Sequence, residues 1–302
     1  MRWNLCFPFP PGDCWCLTRY VRDIAEQYPE DILSPVVPRP ELFRHNPFYR
    51  APVPGAEQIV FRFEAPRPGK RPTWGNRDTG DTMVGAIYAG INRLTGREVQ
   101  IRATAPEIYF TAEEKRYSLV PLDRPVCVVN AGWKSDIPVK FWGTDHFQTV
   151  VDALRDRVLF VQVGASRRGT DFHPRLSGAL DLIGKTSIRE LAQLVYHADF
   201  VLTGISQLHH LSGIEAYKPR TCITVAGGRE PENWANCHKR SGVKWEWISA
   251  NSAFRGCCEQ DASFHALPGC WERDCNAGHV PPCMKSIDPE RVIEIIRKGV
   301  EK

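Results

Sequence analysis

The sequence lacks the long apolar runs and the one-sided charge that mark membrane and nucleic-acid-binding proteins. No run of roughly eighteen apolar residues occurs in the 302-residue chain, so we expect no membrane span. The formal net charge is +4, which implies no strong field for nucleic acid or a membrane surface. The N-terminal segment has no apolar core of the kind a secretory signal requires. We therefore expect a cytoplasmic protein whose thiols stay reduced.

Internal repeats and low-complexity segments are also absent, which favours ordinary globular domains. The 302 residues and the hydrophobic content of 42% suffice for two domains, each with a buried core. Many of the 24 prolines fall between Pro35 and Pro72, where we expect extended structure and little helix. We predict an N-terminal domain over residues 1–123 and a C-terminal domain over residues 124–302.

Two helices and two short strands are expected in the N-terminal domain. Apolar residues at helical spacing predict helices over Leu17–Tyr28 and Asp81–Leu94, the first stopped by a following proline and the second by a following glycine. We also expect short strands over Ile59–Phe63 and Val99–Ala103.

Four apolar runs alternate with helical segments in the second half of the chain. Helices are predicted over Trp142–Arg155, Ser187–His197, His209–Tyr217 and Pro289–Val300. Strands that alternate with helices of about ten to fifteen residues are typical of a parallel sheet. The four predicted strands are Val126–Asn130, Val158–Val163, Phe200–Thr203 and Cys222–Ala226.

Polar residues and glycines follow these strands at their carboxyl ends, the edge where open parallel sheets bind ligands. A lysine at this edge can neutralise a diphosphate, and both Lys134 and Lys140 fit that role. A solvated surface lysine is the alternative for either residue. The candidate ligand residues at this edge are Lys134, Lys140, Gly164, Thr203, Gly204, Ser206 and His210.

The segment Thr203–His210 runs from a predicted strand into a predicted helix. Backbone N–H groups and the helix dipole favour an anion there, and the Ser206 hydroxyl adds a donor. Two adjacent histidine side chains point in different directions. We expect His210 rather than His209 to face the ligand.

The segment Gly184–Ser187 looks like the end of a phosphate-binding P-loop, but its spacing is wrong. The motif reads G-x-x-x-x-G-K, and here five residues separate Gly178 from Gly184. No predicted strand leads into the segment. We interpret it as a turn into a helix whose start lies near a nucleotide, with Thr186 as a candidate ligand residue.

Asp13 follows Gly12 directly before the first predicted helix. A carboxylate in this place can act as a general base if it faces a bound acceptor. Aspartate is also a common N-cap of helices, and the residues alone favour that structural alternative.

Five of the eleven cysteines fall between Cys257 and Cys283. Within the loop 255–283, Cys258, Cys270, Cys275 and Cys283 are interleaved with glycines and prolines and suit a tetrahedral zinc or iron site. Four thiolates leave no open coordination position, so we predict a structural rather than a catalytic metal. A set of unrelated free thiols is the alternative.

Several of these segments together resemble the ADP-heptose-dependent heptosyltransferases of glycosyltransferase family 9. Gly12–Asp13, followed by Thr18 and by Tyr28–Pro29, is similar to the opening motif of that family. The stretch Ile183–Asp199, IGKTSIRELAQLVYHAD, is similar to its "GKTSLRELAALI–AD" segment. The tail Cys270–Pro289 resembles the cysteine-bearing tail of a metal-binding branch of the family.

The resemblance implies a GT-B fold of class α/β, with two Rossmann-like domains facing across a cleft and a C-terminal helix packing back toward the first domain. It implies inverting transfer, without a catalytic metal, from a nucleotide-sugar donor to a saccharide or protein hydroxyl. Asp13 becomes the candidate base and Lys140 the candidate diphosphate ligand. Gly12 and the loop Thr203–His210 become donor-binding residues.

One departure from the family supports a second hypothesis. Ile205, Ser206 and Gln207 stand where the family usually has an Asp-Ser/Thr-Gly triplet. A catalytically inactive nucleotide- or sugar-binding protein with a structural metal site is therefore the alternative. An epimerase is a third option, but it needs an acid and base pair that we cannot assign in this sequence.

Overall fold

The computed structural model describes residues 1–62, 82–134, 140–166, 171–227, 232, 238–250 and 280–301. The chain divides into two units. The first consists of Met1–Tyr117, His210–Glu215 and Glu232–Ser241, and the second of Ser118–His209, Ala216–Pro231 and Gly242–Lys302. Among the described residues, no helix is both long enough and apolar enough to cross a membrane.

The first unit is built on a three-stranded parallel sheet. Its strands are β1 (Arg2–Cys6), β2 (Ile32–Val36) and β3 (Glu57–Val60), in the order β2-β1-β3. The sequence predicted only the third of these, two residues too late. β2 contains Pro35, which lacks a backbone N–H, and its edge position tolerates that loss.

Within Met1–Tyr117, the described residues form the helices α1 (Pro11–Gln27), α2 (Met83–Thr95) and α3 (Ala112–Arg116), with a short 3₁₀ turn at Pro40–Phe43. α2 confirms the prediction: the side chain of Thr82 accepts a hydrogen bond from the N–H of Gly85, and Gly96 ends the helix with φ of 66°. α1 begins six residues earlier than predicted because prolines are compatible with a first helical turn.

The predicted strand over Val99–Ala103 is wrong. Its backbone N–H groups bond to side chains instead of to a neighbouring strand. Val99 donates to Asn92, Gln100 donates to Gln27, and Ala103 donates to Asp23. The apolar run therefore packs beside α1 as an irregular segment.

The second unit contains a six-stranded parallel sheet whose order is β11-β10-β9-β4-β6-β8. The four strands predicted from the sequence are confirmed as β4, β6, β9 and β10, and β8 and β11 were missed. A separate antiparallel pair joins β5 to β7. The strands of this unit are β4 (Val126–Asn130), β5 (Trp133–Lys134), β6 (Leu159–Gln162), β7 (Asp171–Phe172), β8 (Leu180–Asp181), β9 (Phe200–Gly204), β10 (Arg220–Ala226) and β11 (Val243–Ser249).

This strand order makes the sheet doubly wound. The chain adds β6 and then β8 on one side of β4, and returns to add β9, β10 and β11 on the other. The direction of winding therefore reverses between β4 and β9. Such a switch point is where loops diverge and leave a crevice at the carboxyl ends of the strands.

Among the described residues, five helices accompany this sheet. They are α4 (Thr144–Leu154), α5 (Ile188–His197), α6 (Gln207–Leu211), α7 (Pro282–Lys285) and α8 (Pro289–Val300). Ser187 and Glu190 form the predicted capping box of α5. α8 packs on α4, and Gly299 allows its backbone to approach the ring of Phe200, because an added Cβ would lie 2.6 Å from that ring. The predicted helix over His209–Tyr217 is shorter and begins earlier, as α6.

Candidate functional site

Two loops that the sequence singled out meet at the switch point of the larger sheet. One contains Lys140, which comes after β4 and β5 in the chain, and the other follows β9 and contains Ser206. The backbones touch, because a Cβ added to Gly204 would lie 3.0 Å from the carbonyl oxygen of Lys140. Lys140 is half-buried. The structure therefore brings together the predicted lysine and the predicted anion-binding loop within one unit.

The loop after β9 is held by hydroxyl groups. The Oγ1 of Thr203 and the Oγ of Ser206 are 2.9 Å apart and share a hydrogen bond. The N–H of Leu208 donates to the same Oγ of Ser206 over 3.1 Å. Ser206 thus caps the first turn of α6 and fixes the course of the backbone beside Gly204.

Gln207 carries an unused hydrogen-bond donor in this loop. Its Nε2 is buried and has no hydrogen-bond partner among the described residues. An unpaired buried amide costs on the order of 1–3 kcal/mol, which a ligand oxygen would recover. The sequence marked Gln207 only as a departure from the family triplet. Its unpaired amide makes it a ligand-binding candidate that sequence reasoning missed.

The loops after β6 and β8 are also joined. The N–H of Gly184 donates to the carbonyl of Gly164 over 2.8 Å, and Gly184 adopts a φ of 69°. Thr186 follows as a half-buried residue ahead of α5. Lys185 turns back onto Asp181, to whose carbonyl it donates over 2.7 Å, so its ammonium is engaged locally. That geometry agrees with a turn rather than a P-loop.

His173 is a second residue that the sequence did not indicate. Its ring lies against the backbones of Gly132 and Gly164, where a side chain at either glycine would collide with it. Burial, partly opposed by Asp171, lowers the pKa of His173 below its ordinary value of 6.5. Its buried Nδ1 has no hydrogen-bond partner among the described residues. Hence a neutral imidazole lies next to the carboxyl ends of β4 and β6.

Lys134 lies on β5 rather than in a loop. Its Nζ is 4.0 Å from a carboxylate oxygen of Asp171, and the side chain is 45% exposed. The neighbouring Trp133 stacks on Phe172 with ring centroids 4.6 Å apart. The positive charge of Lys134 is therefore partly offset by a carboxylate.

Asp13 lies in the first turn of α1, in the first unit. The residue that precedes the helix is Pro10, so the alternative that Asp13 is the N-cap is wrong. Asp13 is half-buried and Gly12 is buried. Burial first, and the Asp13 carboxylate second, raise the pKa of the Cys14 thiol to about 12. Cys14 thus stays protonated at neutral pH beside an acidic side chain.

His210 belongs to a buried cluster in the first unit. Its Nδ1 is 3.0 Å from the Nε2 of His238 and 3.7 Å from the sulfur of Cys16. The same sulfur is 4.0 Å from the Nε2 of His238. His210 is only 5% exposed. These three side chains form a candidate metal-binding group, whose atoms all lie within 4.8 Å of one another.

The predicted four-cysteine site cannot be placed. Cys258, Cys270 and Cys275 lie outside the described residues. Cys283 lies on α7, is 2% exposed and belongs to the apolar core of the second unit.

The chain has the GT-B fold of solved glycosyltransferases. It is similar to a family 9 glycosyltransferase from Veillonella parvula, with 13% identity, a TM-score of 0.64 and coverage of 99% of this chain and 97% of that chain. It is also similar to ADP-heptose LPS heptosyltransferase II from E. coli, with 14% identity, a TM-score of 0.62 and coverage of 100% and 99%.

A third similar structure is TibC from enterotoxigenic E. coli, an iron-containing dodecameric glycosyltransferase. The identity is 14%, the TM-score is 0.64, and the coverage is 100% of this chain and 78% of that chain. TibC has also been solved in complex with ADP-D-β-D-heptose. No curated protein sequence matches the chain at a significant level.

The sequence itself identifies the family. Residues 95–260, more than half of the chain, match the model of glycosyltransferase family 9 (heptosyltransferase). The chain belongs to that family of glycosyltransferases.

Proposed function

We propose that this protein is an inverting glycosyltransferase that moves a sugar from a nucleotide-sugar donor to a hydroxyl acceptor. The observation that carries the proposal is the contact of two predicted ligand loops at the switch point of the second unit, where Gly204 lies against Lys140. Doubly wound sheets bind nucleotides at this point. The family match supplies the reaction class.

Binding of the donor diphosphate is assigned to the second unit. The ammonium of Lys140 and the backbone N–H groups near Ser206 offset its negative charge. The unpaired amide of Gln207 offers a further donor to an oxygen of the phosphate or the sugar. Gly164 and Thr186, on loops joined through Gly184, complete the donor-binding residues that we propose.

The chemistry is assigned to Asp13 of the first unit. Its carboxylate takes the proton of the acceptor hydroxyl while that oxygen attacks the anomeric carbon of the donor sugar. The bond from the anomeric carbon to the diphosphate breaks, and the nucleoside diphosphate leaves from the opposite face with the bonding pair. Attack from the opposite face inverts the configuration. Residues 1–123 thus serve the acceptor and residues 124–302 the donor.

We propose an ADP-linked sugar of the heptose type as the donor. The support is the family match and the likeness to TibC, which binds ADP-D-β-D-heptose. A saccharide or protein hydroxyl is the proposed acceptor. We also propose a structural zinc or iron at the four-cysteine loop, supported by the likeness to TibC, which is an iron-containing glycosyltransferase.

Asp13→Asn tests the assignment of the base. Removing a general base typically costs roughly 10²–10⁴-fold in turnover, so transfer should fall by about that factor while the affinity for nucleotide stays unchanged. Asp145→Asn is the matched control, since Asp145 also lies in a first helical turn and is exposed. Turnover is followed by release of nucleoside diphosphate, and affinity by calorimetric titration with ADP. Equal turnover in Asp13→Asn and wild type would remove Asp13 from the mechanism.

The alternative is a protein that binds the donor but does not transfer it. The replacement of the family triplet by Ile205, Ser206 and Gln207 favours it. Slow hydrolysis of a nucleotide sugar by the wild-type protein, abolished by Asp13→Asn, would support the enzyme. Tight donor binding with no hydrolysis and no transfer to any acceptor tested would support the binding protein.

A further inference from the structure

The buried cluster of Cys16, His210 and His238 unites the side-chain types that bind zinc most often. The three side chains are 0%, 5% and 1% exposed. They are far apart in sequence: the residue numbers of Cys16 and His210 differ by 194, and those of Cys16 and His238 differ by 222. All three belong to the first unit. The cluster is therefore a property of one folded unit, and its three members are not among the four cysteines of the predicted loop.

The spacing of the three ligand atoms matches a tetrahedral metal. An ion about 2.3 Å from a thiolate and about 2.0–2.1 Å from each imidazole nitrogen holds sulfur and nitrogen about 3.6 Å apart, and the two nitrogens about 3.3 Å apart. The observed separations are 3.7 and 4.0 Å for the sulfur–nitrogen pairs and 3.0 Å for the nitrogen pair. Each differs from the tetrahedral value by less than about half an ångström.

We propose that Cys16, His210 and His238 bind a divalent transition-metal ion of the zinc class. The thiolate of Cys16, the Nδ1 of His210 and the Nε2 of His238 supply three ligands. One thiolate with two imidazoles selects a borderline-soft ion over magnesium or calcium. Three protein ligands leave a fourth position for water or another small ligand. This assignment takes His210, which the sequence predicted as a donor ligand, out of the donor-binding set, because its buried Nδ1 faces Cys16 and His238. The existence of the metal site does not depend on the proposed function.

The backbone around His238 is fixed in a way that suits a preformed site. The N–H of Lys239 donates to the carbonyl of Thr104 over 2.8 Å, and Arg240 donates to the carbonyls of Gly213 and Pro106. Gly213 allows the close approach, because an added Cβ would lie 3.1 Å from the Cβ of His238 and 2.9 Å from Pro106. The chain around His238 is therefore held by residues of both the first and the second segment of the first unit.

The same cluster has a metal-free arrangement that the test must separate from the bound one. The Nη1 of Arg19 is 3.4 Å from the Nδ1 of His238, so Arg19 can donate to His238, and His238 can then donate from Nε2 to His210. Metal binding requires the opposite tautomer, with hydrogen on the Nδ1 of His238. Arg19 then retains its 2.7 Å bond from Nε to the carbonyl of Ala103.

Metal content after equilibration with Co²⁺ or Zn²⁺ tests the proposal on the full chain. Wild type should hold about one equivalent more than Cys16→Ser and than His238→Gln, because each variant removes one of only three ligands. Whatever the cysteine-rich loop binds cancels in the difference. Cys14→Ser is the matched control: Cys14 is equally buried on the same helix, but its thiol donates to the carbonyl of Phe9. It should retain the metal content of wild type.

The Co²⁺ spectrum provides a second measurement. The difference between wild type and His238→Gln should show a thiolate-to-cobalt charge-transfer band and d–d bands of tetrahedral intensity. Far-ultraviolet circular dichroism checks that each variant is folded. If Cys16→Ser does not fold, the metal content and spectrum of folded His238→Gln test the site on their own. Equal metal content and equal spectra in wild type and a folded variant would contradict the proposed metal site. The cluster would then be held by the hydrogen bonds from Arg19 to His238 and from His238 to His210.

Discussion

At the scale of single residues, the buried carboxylate of Asp23 links three segments of the first unit. It is 0% exposed and accepts hydrogen bonds from the hydroxyl of Tyr88 and from the N–H groups of Arg102 and Ala103. It therefore joins α1 to α2 and to the irregular segment that follows α2. Burial first, and the bond to Asp23 second, raise the pKa of Tyr88 far above its usual range.

Asp23→Ala should strongly destabilise the protein. The substitution leaves three donors without their partner, at about 1 kcal/mol each, so the free energy of unfolding should fall by about 3 kcal/mol. Tyr88→Phe is the control, because it removes one of the three donors and should cost about 1 kcal/mol. Urea titration followed by circular dichroism measures both. Equal losses in the two variants would show that the backbone N–H groups find other acceptors.

His173 should make stability depend on pH. Its pKa is lower in the folded state than in the unfolded chain, so the unfolded chain binds more protons as the pH falls through about 6.5. The free energy of unfolding should therefore decrease below that pH, by at most about 1.4 kcal/mol per pH unit. The difference in unfolding free energy between wild type and His173→Gln, measured from pH 8 to pH 5, isolates this contribution. A difference that does not change with pH would contradict the burial of a neutral imidazole.

The sequence predicted site residues only where they belong to a local pattern of neighbouring residues. Lys140 and Gly204 could be predicted to meet because both follow strands of one parallel sheet. Cys16, His210 and His238 could not, because no short spacing links residues on three separate segments. The ring of His173 also escaped prediction, since it reaches Gly132 and Gly164 from a short strand, β7, that carries no apolar pattern.

At the scale of secondary structure, the predictions succeeded where burial alone sets the pattern. Central strands such as β4 and β9 are buried on both faces and read as continuous apolar runs. Among the missed strands, β2 and β11 lie at sheet edges, whereas β1 is central to its sheet but short, with the polar residues Arg2 and Asn4 interrupting its apolar pattern. β2 contains a proline, and β11 carries charged residues among its aromatic ones, so neither shows the pattern of a central strand.

The capping box of α5 should have a measurable effect on stability. The Oγ of Ser187 accepts a hydrogen bond from the N–H of Glu190, and the Glu190 carboxylate accepts one from the N–H of Ser187. Ser187→Ala removes the first of these bonds and should lower the free energy of unfolding by about 1 kcal/mol. Ser187→Thr retains a hydroxyl and should stay close to wild type. Chemical denaturation compares the three proteins, and an alanine variant as stable as the threonine variant would count against the cap.

At the scale of the whole molecule, carboxylates in both units make the free energy of unfolding depend on pH in the acidic range. The hydrogen bond from Arg97 holds the pKa of Asp31 below its ordinary value, and the N–H of Ile183 does the same for Asp181. A carboxylate with a lowered folded-state pKa stabilises the protein fully above its unfolded value. That stabilisation is lost as the pH falls through the folded-state pKa.

The free energy of unfolding should therefore decrease below about pH 4. The decrease should be smaller in variants that lack these carboxylates. Asp31→Asn should be less stable than wild type at pH 7, because Arg97 loses its ionised partner, but should lose less on acidification. Asp181→Asn should behave in the same way for the second unit. Thermal midpoints measured between pH 7 and pH 2 test both, and parallel curves for wild type and variants would contradict the assignment.

The division of the first unit into three stretches of chain has a consequence for biosynthesis. Its backbone pairings, such as that of Thr104 with Lys239, join residues made early to residues made late. At translation speeds of about 5–20 residues per second, the ribosome needs on the order of ten seconds to extend the nascent polypeptide from Tyr117 to Ser241. During that interval the carbonyl group of Thr104 lacks the backbone N–H of Lys239, with which it pairs in the folded protein. The first unit can therefore complete its folding only after the residues up to Ser241 have left the ribosome.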